Sequence, residues 1–198
     1  SYQLSPDALR VPENIQKVRV IEALDGQLIT RSQWYDLHQL GPVEAWHTHD
    51  ILKLVVVNRY RQAPPAMAFI HGFGLQQAAM GGTVAHDSHN LVVVGTHDTY
   101  IEKAIHALME AKGGLVFTDQ QQTALLPLPV AGLMSTLSCE ETAQAYSSLD
   151  SMSKNAGSGL RSPYMTLSFM SLLVIPELKL SDKGLFDGQH FQFVNPFA

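Results

Sequence analysis

Apolar positions along this chain fall into two rhythms, and each rhythm points to one kind of element. Residues 51–58 read ILKLVVVN, a nearly continuous apolar run of the kind found in a strand covered on both faces. Residues 91–95, LVVVG, repeat the pattern, and residues 115–118 repeat it again. Between those two runs, Ile101, Ala104, Ile105 and Leu108 recur at helical spacing within residues 98–111. Thr96 or Asp98 stands where a helix cap belongs, and Lys112-Gly113-Gly114 closes the segment. Strand, helix and strand with short joints make a βαβ unit, which predicts a parallel pair joined by a right-handed crossover.

The flanking segments extend this picture. Val18, Val20 and Ala23 suggest a strand over 17–24, Asp25-Gly26 a turn, and 27–30 the returning strand of a hairpin. Residues 66–71 predict a further strand. Ser138-Cys139-Glu140-Glu141 has the form of a capping box, with Ala143, Tyr146, Leu149 and Met152 as the apolar stripe of the helix behind it. Residues 155–161 read as a Gly/Ser loop. Residues 126–132, LPLPVAG, are too rich in proline for a central strand and fit an extended edge or an ordered loop. Residues 163–176 read as core, or as an interface or pocket wall using Met165, Phe169 and Met170. Pro6 and Pro12 interrupt an N-terminal stretch without periodicity, so residues 1–16 are expected to be an arm or linker and 17–198 the domain. The predicted fold class is α/β: a mixed β-sheet flanked by helices and containing a βαβ crossover unit.

Composition narrows the partners. With 198 residues, 45% hydrophobic, the chain can bury a core without disulfides or metals. Only 16% of residues are charged, which fits either a large core or a surface covered by another domain or subunit. The net charge of −5 comes without a basic cluster, so neither nucleic acid nor an anionic membrane is an expected partner. The single Cys139 excludes an internal disulfide and a CxxC metal site. No charged-then-apolar leader is visible, and the apolar run near 165–175 is too short to span a bilayer, so the expected location is the cytoplasm.

The candidate chemistry is concentrated in Val84-Ala85-His86-Asp87-Ser88-His89-Asn90, directly before the 91–95 run. Two imidazoles, a carboxylate and a hydroxyl in one loop can transfer protons or bind a small polar ligand. The plain alternative is a polar turn whose Asp and Ser bond their own backbone. His86 and His89 are the candidate proton carriers, with Asp87 orienting one of them. Ser88 and Asn90 are candidate substrate contacts, Asn90 because an amide can read a base edge.

Four segments, VAHDSHNLVVVG, LPLPVAGLMS, PYMTLSFMSLLVIPELKLSDKGLFDG and the earlier HGFGL, resemble the C-terminal domain of bacterial adenine deaminases, members of the metal-dependent amidohydrolase superfamily. The resemblance runs from Lys17 to Phe193. It implies hydrolysis of adenine to hypoxanthine and ammonia, a reaction of purine salvage. It also implies a (β/α)8 barrel holding a divalent metal pair, manganese or iron. A barrel needs about 200 residues or more by itself, and the GxxDxHxH word is absent here. The chain is therefore expected to be part of a longer enzyme, inactive alone and without a cofactor of its own. Its expected partners are adenine, the amidohydrolase barrel and further copies in a homo-oligomer. A stand-alone binding or structural domain derived from that family is the alternative.

Other motifs read more plainly. His47-Thr48-His49 resembles the HxH ligands of amidohydrolases, but it precedes a strand instead of ending one, so no metal site is expected. His71-Gly72-Phe73-Gly74 is better explained by tight turns than by a phosphate loop. Cys139 has no histidine in fixed relation and is not expected to act as a nucleophile. His190 is expected at the surface, and His97 near a helix cap.

Overall fold

The computed structural model describes residues 7–198. Eight strands form the main sheet: β1 Lys17–Ala23, β2 Thr30–Asp36, β3 Leu52–Val57, β4 Ala66–His71, β5 Ala79–Gly82, β6 Leu91–Gly95, β7 Gly114–Thr118 and β8 Thr123–Pro127. Their order is β2-β1-β4-β3-β6-β5-β7-β8. β1 and β4 are hydrogen-bonded in parallel, and every other neighbouring pair is antiparallel. The fold class is thus the expected mixed α/β.

The crossover differs in one respect. β6 and β7 do run parallel, joined by α2 (Asp98–Glu110), but they do not touch. β5 lies between them and pairs antiparallel with both, so the unit is a split βαβ. β5 reads AMGG, without alternation or β-branched residues, and left no strand signal. Its glycines are there for space. A Cβ on Gly81 would lie 2.7 Å from a Val93 methyl, and one on Gly82 2.6 Å from a Leu115 methyl.

Helices and a second sheet cover the two faces. On one face, Tyr100, Ile101, Ala104, Ile105 and Leu108 of α2 pack on Val55, Val57, Ala79, Val93 and Val116. Beside them, α1 (Leu37–Leu40) and a 3-10 helix (Val43–His49) bring Leu40 and Trp46 onto Val18, Val20 and Phe69. On the other face lie α3 (Cys139–Asn155), α4 (Pro163–Ser168) and a three-stranded sheet of β9 (Leu178–Ser181), β10 (Gly184–Asp187) and β11 (Gln192–Val194). The capping box of α3 is formed: Ser138 N donates to Glu141 Oε2 at 2.9 Å and Glu141 N to Ser138 Oγ at 3.2 Å. Its buried stripe is Tyr146, Leu149 and Met152, with Ala145 in place of the expected Ala143, which is exposed. The helix after β6 is capped by neither Thr96 nor Asp98. His97 occupies the N-cap without a side-chain capping bond, Thr96 Oγ1 donates to Ala78 O, and Asp98 pairs with Lys53.

Other boundaries shift as well. The hairpin return begins at Thr30, not Gln27, and continues to Asp36. Pro127 ends β8 at the sheet edge, where a residue without an N–H is tolerated. The first six residues of the expected N-terminal arm lie outside the described residues. Leu9 is buried against the α2 side, and its carbonyl accepts a 2.7 Å bond from Lys53 Nζ.

Candidate functional site

Register places four connections at one end of the main sheet. Val57 pairs with Leu91, so the end of β3 meets the start of β6. Gly82 pairs with Val92 and Leu115, and Gly114 with Pro127. Residues 58–61, 83–90 and 128–134 and the start of β7 therefore converge, and the 84–90 loop sits among them.

The loop is held by its backbone. His86 N donates to Ser168 O at 2.8 Å, which ties it to the end of α4. His89 N donates to Ala85 O at 2.7 Å, and His89 takes a positive φ of 49° to close the turn. Ala85 N donates to His89 Nδ1 at 3.3 Å. A ring nitrogen that accepts from an amide is unprotonated, so the neutral His89 ring carries its proton on Nε2 and can donate from there. The His86 ring stacks on Phe169 with centroids 4.7 Å apart and meets the His89 ring edge-on at 5.6 Å. No hydrogen bond occupies either nitrogen of His86 among the described residues.

The remaining candidates fall into two groups. Asp87 and Ser88 are exposed, and the Asp87 carboxylate bonds neither imidazole in this conformation. Asn90 is 2% exposed; its Oδ1 accepts from Arg59 N at 3.4 Å, while its amide nitrogen has no protein partner among the described residues. The sequence reading overlooked the neighbours that brace the loop. Tyr60 Oη donates to Ser88 O at 2.8 Å, and Arg59 reaches Asn90. The available signal was the polar triplet Asn58-Arg59-Tyr60 that ends the apolar β3 run.

His86 also lines a groove of about 670 Å³. Leu115, Leu126, Leu128, Leu133, Tyr146 and Tyr164 form most of its wall, and Met134 and Met165 are exposed at its sides. Met165 thus serves as wall of this groove and, with Phe169, of a separate pocket beside Asp25 and Arg161, while Met170 is core. Burial pushes the Tyr164 hydroxyl far above its ordinary value, which keeps it neutral, and it donates to Val116 O at 2.9 Å. Cys139 lines the same groove as a free, exposed thiol.

The opposite end of the sheet is arranged differently. Asp50 accepts from Gly72 N at 2.8 Å and Gly74 N at 2.6 Å, which pins the HGFG turn. Lys53 Nζ bonds Asp98 at 2.6 Å as well as Leu9 O. The His47 and His97 rings lie 4.8 Å apart, and burial, with His47 as a second cause, holds His97 below its ordinary range. Away from both ends, His190 Nδ1 lies 3.0 Å from Asp187, so this histidine is exposed but not isolated. No three or more His, Cys, Asp or Glu residues are grouped to hold a metal among the described residues.

Fold and site together define a class: an α/β domain that offers a His-Asp-Ser-His loop and an apolar groove at one sheet end. Residues 27–192 match the family model described as the adenine deaminase C-terminal domain, and the chain belongs to that family. An adenine deaminase of Parabacteroides distasonis is 46% identical over 193 residues, covering 97% of this chain and 35% of the relative. The adenine deaminase of Salinibacter ruber is 46% identical over 198 residues, covering 98% and 36%. That of the archaeon Methanosarcina acetivorans is 46% identical over 187 residues, covering 94% and 34%. The chain thus spans about a third of the length of the curated relatives it matches. No helix among the described residues is long and apolar enough to cross a membrane.

Proposed function

We propose that this chain is the C-terminal domain of a cytoplasmic, homo-oligomeric enzyme that hydrolyses adenine to hypoxanthine and ammonia in purine salvage. In this reading residues 17–198 are the domain and the segment before them leads from an amidohydrolase barrel. The described residues do not form a ligand set for a divalent metal. In this reading the divalent metal, manganese or iron, sits in that barrel.

One observation carries the reading: two imidazoles are fixed edge to face on a loop at the rim of an apolar groove, with nitrogens left unpaired. Loss of ammonia requires a proton on the departing nitrogen, and an imidazole that has first taken up a proton delivers it as imidazolium and is left neutral. His89 Nε2 and His86 are the donors offered. Asp87 orients one ring when the loop closes over substrate. Ser88 and the free amide nitrogen of Asn90 address the purine edge, and closure excludes bulk water beyond the one molecule consumed.

The test uses the longer protein that carries this domain. His86→Ala together with His89→Ala is expected to lower turnover of adenine by roughly tenfold or more, with metal content unchanged. Unaltered turnover in a folded double variant removes the loop from the site. The 198-residue chain alone is expected to release no ammonia from adenine even when supplied with manganese or iron; steady release overturns the assignment.

A further inference from the structure

Arg59 is a half-buried cation whose guanidinium has no partner. Its backbone is fixed on all sides. Asn58 Oδ1 accepts from Tyr60 N at 2.9 Å and Arg61 N at 3.1 Å, Asn58 Nδ2 donates to Asp182 at 2.7 Å, and Arg59 N itself donates to Asn90. The guanidinium is placed by packing. Its Cζ lies 5.6 Å from the centre of the Tyr60 ring, and it rests so closely on Gly132 that a Cβ there would fall 2.0 Å from Nη1. Gly132, at φ +75°, leaves that room and is in turn held by Thr83 Oγ1, which donates to its carbonyl at 2.6 Å.

Nothing answers the charge. Among the described residues, no hydrogen bond or ion pair reaches any side-chain nitrogen of Arg59, and Nη1 is enclosed and unsatisfied. Arg10, Arg19, Arg31 and Arg161 each lie within 4.0 Å of a carboxylate. Arg61, which has none, is exposed to water. A guanidinium partly removed from solvent costs free energy unless a counter-charge meets it. With Nη1 enclosed, the planar edge of Nε and Nη2 matches a carboxylate or phosphate with two parallel bonds, and a guanidinium already held in place loses little entropy on binding one.

We infer that Arg59 is an anion seat: it takes a carboxylate or phosphate oxyanion beside the 84–90 loop. The Tyr60 hydroxyl, bonded to Ser88 O, couples that seat to the loop backbone. The oxyanion is either a carboxylate of the longer polypeptide or a free anion such as phosphate. The inference does not depend on deaminase activity.

Phenylglyoxal labelling of the chain, followed arginine by arginine by mass spectrometry, tests it. Inorganic phosphate, at ionic strength held constant with chloride, is expected to slow labelling of Arg59 by at least about fivefold through mass action. Arg31 and Arg61, both exposed, serve as unaffected controls. In the longer protein, labelling of Arg59 that phosphate still slows assigns the seat to a free oxyanion. Resistance without phosphate, together with a thermal midpoint that falls by several degrees in Arg59→Gln but less in Arg59→Lys, assigns it to a carboxylate of the polypeptide. Resistance with an unchanged midpoint in Arg59→Gln is burial alone and overturns the inference. So does labelling that ignores phosphate in the chain and is equally fast in the longer protein.

Discussion

The two ends of the eight-stranded sheet treat their polar groups in opposite ways. At the end where β4 stops and β3 begins, charge is spent internally: Asp50 closes the Gly72–Gly74 turn, and Lys53 joins Asp98 to Leu9. Among the described residues, His71 Nδ1 and the Ser158 Oγ beside the Gly72–Gly74 turn are left enclosed and unpaired there. At the other end, the backbone is well tied but the side chains are left open. Among the described residues Arg59 has no counter-charge, Asp87 and Ser88 face solvent, and the His86 ring is held only by its contacts with Phe169 and His89. Internal pairing makes an end rigid and inert, whereas tied backbone with unpaired side chains is the condition for meeting something external. The contrast supports the proposal that the open end is the one that meets a ligand or partner.

Breaking the closed end should cost the most. Asp50→Ala leaves two backbone N–H groups without their charged acceptor, and a loss of about 3 kcal/mol is expected. For a chain of this length that lowers the thermal midpoint by roughly 6–12 °C. A midpoint within about 2 °C of the parent would show that the HGFG turn does not depend on Asp50.

Acid gives a smaller effect from the flank of the sheet. Burial pushes the Asp187 carboxyl up, but hydrogen bonds from the His190 side chain and backbone, from Arg19 and from Gln189 N outweigh it and hold the group at about 2, below its ordinary 3.8. A lowered carboxyl stabilises the fold fully above pH 3.8, and this contribution is lost as pH falls through about 2. About 2 kcal/mol is at stake. Denaturant titrations between pH 5 and pH 2 should show Asp187→Asn less stable at the upper end and converging on the parent at the lower end. A constant gap would remove Asp187 from acid unfolding.

The open end should yield the least in stability. Asp87→Ala and Ser88→Ala are each expected to change stability by less than about 0.5 kcal/mol, since neither side chain is buried or bonded. A loss above about 1 kcal/mol in either would mean that the loop is a structural turn after all, and the contrast between the ends would weaken.

How legible this was in sequence depended on whether the signal is local. β3, β6, β7, α2 and α3 each carry their own pattern, and Ser138 with Glu141 announced a cap that the structure contains. β5 did not, because its position between β6 and β7 is set by neighbours distant in sequence and asks only for small residues. The short strands β9 to β11 lie beyond the apolar 163–176 segment and drew no reading, being only three or four residues long. The 84–90 loop stood out because its polar residues are contiguous. Arg59 did not, since its lack of a partner is a property of Gly132, Tyr60 and Asn90 coming together. Lys179 shows the same limit. It is fully enclosed and held at about 8 by burial, yet its only partner among the described residues is Leu28 O at 2.6 Å, 151 positions away.

The insertion of β5 between β6 and β7 has a further consequence for a chain cut at the exposed Asp87–Ser88 step. The amino-terminal piece would own β1 to β5 and the carboxy-terminal piece β6 to β8. In the sheet, four strands of the first piece are followed by one of the second, then one of the first, then two of the second. Neither piece owns a continuous sheet. Each holds a strand clasped on both sides by the other, so a protease that nicks the loop leaves the halves interdigitated, and they migrate as one particle until the sheet itself is unfolded.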